Sequence, residues 1–121
     1  NQFKSRVEEA RGALLNFLNK AKRDGKRVHG LGASTKGNVL LQYFGIGPEL
    51  ISSVGEVNAD KFDSLTPGSL IPIASEDEIL LAEPDYLVVL PWHFKDFFLN
   101  SQKLKGRTLV FPLPELEIVR L

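Results

Sequence analysis

The chain has 121 residues, 15 Lys and Arg against 15 Asp and Glu, two His, and neither Cys nor Met. That length suits one domain with a core of its own, and the even charge argues against a nucleic-acid or anionic-membrane partner. Without cysteine there is no disulfide framework and no thiolate zinc site, two histidines make no histidine-rich metal centre, and no apolar run spans a membrane or forms a signal peptide, so a cytoplasmic setting is expected.

The chain opens at Asn1 inside a helical pattern and holds no methionine, so it is expected to be a piece of a longer protein. Phe3, Val7, Ala10, Leu14, Phe17 and Ala21 recur at helical spacing, which predicts a helix over residues 2–24 with one apolar stripe. Asp24-Gly25 ends it, and Lys20, Lys22 and Arg23 suit the negative end of its dipole. Such a helix packs on its own sheet; the alternative is a short coiled-coil or interdomain helix.

A strand is predicted over 27–31, then a glycine-rich turn and a helix over 35–44, stopped by Gly45-Ile46-Gly47-Pro48. The second strand is predicted at 52–57. A looser segment follows, with a Pro67-Gly68 turn, and a brief third strand at 70–73. Ser75 caps a short helix whose first turn carries Glu76, Asp77 and Glu78, and Pro84-Asp85 breaks it. The unbroken apolar run 86–90 reads as a strand covered on both faces. Pro91-Trp92-His93 leads into a helix predicted over 94–103, then come a strand at 108–111 and a last extended piece at 117–121.

Buried strands alternating with helices define an α/β class, a doubly wound, mostly parallel sheet of about five strands in the order 3-2-1-4-5, preceded by an N-terminal helix. In that order the chain reverses direction between strands one and four, and ligands bind at the carboxyl ends flanking that point. The segments there are Gly30–Lys36, Glu56–Asn58 and Pro91–Lys95.

Gly30 and Gly32 permit a tight bend, Ser34 and Thr35 are good N-cap residues, and Lys36 adds positive charge. Free amides, a helix dipole and a lysine together suit a phosphate, pyrophosphate or carboxylate. Thr35 stands where the dinucleotide fingerprint needs its third glycine, and the next glycine is Gly37. The plainer reading of the bend is close packing of helix on sheet. Glu56 lies where a ribose-binding acid would, and equally reads as a solvated strand end. Trp92 offers a flat face to a base or sugar, or packs at the rim. His93 titrates near neutrality but lacks a visible partner, and reads as a helix-start residue. Lys61 reads as a surface lysine and His29 as a packed one. No nucleophile–base pair, catalytic group or metal cluster stands out.

Four phrases occur together: V-H-G-L-G-A-S-T-K-G-N at 28–38, Y-F-G-I-G-P at 43–48, P-G-S-L-I-P-I at 67–73 and P-D-Y-L-V-V-L-P-W-H-F at 84–94. From about Gly25 to Pro114 the chain resembles the C-terminal domain of the S-adenosylmethionine-dependent sugar C-methyltransferases, which act on nucleotide-linked deoxysugars. The resemblance implies a linker helix at 1–24 and a Rossmann-like domain at 25–121. It also implies upstream domains, outside these residues, that hold structural zinc, S-adenosylmethionine and the catalytic base, with no cofactor in this one. The partners implied are a nucleotide sugar and the upstream domain of the same chain. By motif, Gly32, Ala33, Ser34, Lys36, Gly37 and Asn38 would form the loop facing the substrate cleft, with Trp92 and His93 in the matching strand-four loop. The sequence departs from the family at Glu56, where aspartate is usual, and after Lys61, where Phe62 and Asp63 stand. These departures leave the sugar open. Competing expectations are an independent NAD-type nucleotide module, or a domain that only packs against a partner or a copy of itself.

Overall fold

The computed structural model describes residues 2–121. Helix α1 (Gln2–Arg23) is followed by β1 (Val28–Leu31), α2 (Thr35–Phe44), β2 (Val54–Glu56), β3 (Ile73–Ser75), α3 (Glu76–Leu81), β4 (Tyr86–Val89), α4 (Lys95–Leu99), β5 (Thr108–Phe111) and β6 (Glu117–Arg120). The sheet runs β3-β2-β1-β4-β5-β6. Its first five strands are parallel, in the order expected, and β6 adds an antiparallel edge on β5, pairing Thr108 with Arg120 and Phe111 with Glu117. No helix among the described residues is long and apolar enough to cross a membrane.

The period-two alternation of strands sorts the core into two layers. Val28, Val54, Val88, Leu90 and Val110 face Leu14, Leu18 and Ala21 of α1 and Leu40, Leu41 and Phe44 of α2. Leu31, Leu87, Val89, Leu109 and Phe111 face Ile79 and Leu80 of α3, together with Leu104. Each of these Val, Leu, Ile and Phe side chains contributes about 1.5–3 kcal/mol on leaving water. Helix α1 thus packs on the same sheet as the rest. Its stripe starts one turn later than its spacing suggests, because Phe3 lies beyond the sheet and is 77% exposed.

Helix ends follow their local chemistry. Gly25 and Gly45 both adopt φ 71, and Lys26 N–H reaches the Ala21 carbonyl as Ile46 N–H reaches that of Leu41, each at 2.9 Å. These are Schellman closures, which need a left-handed residue that glycine supplies without strain. Ser75 caps α3 through Glu78 N–H.

The second strand is shorter than expected, 54–56 within 52–57, because the amides of Val57 and Asn58 turn to the Glu56 carboxylate, and two further elements differ more. The third strand forms at 73–75, not 70–73. Buried Thr66 accepts Ile71 N–H through its hydroxyl, Leu70 takes φ 58, and Leu65 bridges antiparallel to Pro72, so the chain is turning where extension was predicted. The helix predicted over 94–103 is a 3₁₀ turn at Trp92–Phe94 followed by α4, which stops at Leu99. Asn100 caps it, its side chain returning to the Asp96 carbonyl.

Candidate functional site

Three strand ends meet at the carboxyl edge of the sheet. β1 leaves through Gly32, whose φ of 81 is open to glycine alone at low cost and where a Cβ would lie 2.7 Å from Pro91 Cδ. Gly30, by contrast, lies within β1, covered by Val54, Leu90 and Ile51; the bend begins after it. Gly37 lets α2 approach β4, since a Cβ there would meet Leu90 Cβ at 2.6 Å. That close helix–strand contact is what the third fingerprint glycine provides in dinucleotide folds, supplied here two residues later.

The amides around the bend are largely committed. Gly32 N–H donates to the Gly55 carbonyl at 2.8 Å and Ser34 N–H to that of Gly32 at 2.9 Å. Gly37 N–H donates to Ser34 Oγ, the side chain that caps α2. Ala33 N–H donates to Glu56 Oε1 at 3.0 Å. The amides of Thr35 and Lys36 have no partner among the described residues, and neither has the Lys36 ammonium.

Glu56, only 8% exposed, is the hub. Its second oxygen accepts Val57 N–H at 2.8 Å and Asn58 N–H at 2.9 Å. Lys61 closes the knot, its Nζ 3.7 Å from Glu56 Oε1 and donating to the Ala33 carbonyl at 2.8 Å. A carboxylate has about four acceptor positions. Three are spent on backbone amides here, so the acid points into the bend and does not stand free as a ribose acceptor. The bend therefore does not fit the adenosine moiety of NAD or S-adenosylmethionine in the manner of a dinucleotide fold.

A cavity of about 520 Å³ opens beside this knot. Gly32, Ala33, Ser34 and Glu56 line it, together with Lys61 and Glu76. Its opposite wall is Pro91, Phe94, Phe97 and Phe98. Thr35, Lys36, Gly37 and Asn38 run away from it along α2. Trp92 turns to the other face of the sheet and packs against the α1–α2 core layer, and His93 is exposed, its ring 4.3 Å from that of Phe94. Asn38 Oδ1 is buried without a hydrogen-bond partner. The phenylalanine wall was missed in sequence. Its signal was the cluster at 94, 97 and 98, too many aromatics for a short helix to bury; Phe97 remains 74% exposed. No group of three or more potential metal ligands occurs among the described residues.

Lys103 bridges Asp77 at 2.7 Å and Glu76 at 3.4 Å, closing the α3 side of the cavity. The Asp77 hydrogen bond is the main reason its ammonium holds its proton above the usual lysine range.

A doubly wound α/β domain with an amphiphilic cavity at its switch point is the class that fold and crest define. The chain belongs to the C-methyltransferase C-terminal domain family, whose model matches residues 1–114. It is 31% identical over 121 residues to the C-methyltransferase NovU of Streptomyces niveus, an alignment covering 98% of this chain. The chain spans 29% of that relative's length.

Proposed function

We propose that this chain is the substrate-side domain of an S-adenosylmethionine-dependent C-methyltransferase acting on a nucleotide-linked sugar. The methyl donor and the catalytic base then belong to parts of the protein outside these 121 residues. The observation that carries the reading is the cavity at the switch point, with the unpartnered amides of Thr35 and Lys36 and the unpaired Lys36 ammonium just beyond its Ser34 edge, in a chain of the C-methyltransferase family.

S-adenosylmethionine supplies an electrophilic methyl group to a carbon that a base has made nucleophilic. What this domain contributes is position. An anchored substrate presents its carbon to the methyl group without a search, and orientation of this kind lowers a barrier by several kcal/mol. The Thr35 and Lys36 amides, the positive end of α2 and the Lys36 side chain suit the diphosphate, whose charge does not change during methyl transfer. Binding energy of that kind holds ground and transition states alike.

Lys36→Ala in the complete methyltransferase tests the reading. A nucleotide-linked deoxysugar should bind about tenfold more weakly, the loss of one charge-assisted contact. Single-turnover methyl transfer in the saturated complex should stay within about twofold. Unchanged affinity by calorimetry would remove Lys36 from the site.

A further inference from the structure

The crest bend has the form of an anion cradle, with amides from two strand ends converging on one point. That point is already taken by an anion of the chain itself. Glu56 accepts from Ala33 after β1 and from Val57 and Asn58 after β2, so one carboxylate ties the two strand ends together. Lys61, which would otherwise be a cation for a ligand, is spent on Glu56 and the Ala33 carbonyl. The second lysine of the cavity, Lys103, is spent on Glu76 and Asp77. A phosphate entering here would meet two carboxylates, Glu56 and Glu76, and no uncommitted cation. Like charges repel, and the lysine beside each of these carboxylates is already engaged with it. What the cavity does offer is the apolar wall of Pro91, Phe94, Phe97 and Phe98.

We propose that Glu56 is a positioning and specificity-determining residue: it fills the amide cradle against phosphate, so the crest cavity receives an uncharged ring of the ligand while its phosphates lie outside, at Thr35 and Lys36. The placement of ring and phosphates rests on the nucleotide-sugar reading above; the exclusion of phosphate by Glu56 does not. The uncharged ring is a nucleobase, through its π face, or a deoxysugar, through its C–H face, since an aromatic wall accepts either.

The test is a set of NMR titrations of the 121-residue chain. With inorganic pyrophosphate the Thr35 and Lys36 amide signals should shift, while those of Ala33, Val57 and Asn58 stay still. Saturable shifts of those three in the wild type would overturn the exclusion, whether or not any variant folds. Silence at Thr35 and Lys36 would overturn only the phosphate placement. Glu56→Ala empties the cradle. In it, formate should raise the melting temperature and move the Ala33, Val57 and Asn58 amides, binding at least about tenfold more tightly than to the wild type. A variant that folds but ignores formate would also overturn the proposal, because a carboxylate with a merely structural role leaves no anion seat behind. A free pyrimidine base such as 1-methyluracil and a methyl deoxyglycoside separate the two ring sources. One of them should shift the Phe94 and Phe97 ring signals, and silence with both would overturn the ring placement.

Discussion

His29 stands half-buried in β1, hydrogen-bonded through Nδ1 to Ser53 Oγ at 2.7 Å. Burial lowers its pKa below the ordinary 6.5, Arg27 nearby lowers it further, and hydrogen bonding to the Ser53 backbone opposes both. The folded chain thus prefers the neutral imidazole. Below the unfolded value, unfolding takes up a proton that the native state resists, so stability present above pH 6.5 falls as pH drops through the folded pKa. In His29→Gln the urea midpoint should change less between pH 7.5 and about 5 than in the wild type. Parallel profiles would show that this imidazole carries none of the dependence. Glu56 teaches a different lesson at the same scale. Its place at the end of β2 could be read from spacing, but where its carboxylate points could not. That depended on three amides, from Ala33, Val57 and Asn58, arriving around it from two separate strand ends.

Two helical glycines separate propensity from packing. In α1, a Cβ on Gly12 would meet nothing within 4 Å. Gly12→Ala should therefore gain helix propensity and stabilise the chain by about 0.5–1 kcal/mol. In α2, the same change at Gly37 would set a Cβ 2.6 Å from Leu90 Cβ and 2.9 Å from Ser34 Oγ. Overpacking of about 1–3 kcal/mol then outweighs the propensity gain. Gly37→Ala should lower the denaturation midpoint and, by lifting α2 from β4, disturb the Ser34 cap. Equal responses at both sites would mean that helix–strand contact is not what Gly37 serves. Local patterns placed the helices well. Stripes of apolar residues, N-caps at Ser34 and Ser75, and glycine stops at 25 and 45 are all signals carried within a few residues. Where the apolar pattern was ambiguous, at 70–73 and 100–103, side-chain hydrogen bonds to the backbone set the outcome, Thr66 with Ile71 and Asn100 with Asp96.

Across the whole molecule, β1 and β4 lie at the centre of the sheet, flanked on both sides by paired strands. β6 is an edge strand with alternating exposed residues, and the first turns of α1 project past the core. Amide exchange should accordingly be slowest in β1 and β4 and fastest in β6 and at residues 2–9. Uniform protection along the chain would mean that α1 is held by more than the residues that bury Leu14, Leu18 and Ala21. The order of elements, the parallel sheet and the location of the crest could be read from the chain alone. They follow from periodicity and from turn chemistry, which act between near neighbours. Only the tertiary structure decided which crest groups remain available. It turned Trp92 to the far face, set the phenylalanine wall over the cavity, and spent Glu56, Lys61 and Lys103 on internal partners. The reason is that availability is a remainder. A side chain or amide is free for a ligand only after every closer partner in space has been satisfied, and those partners are distant in sequence.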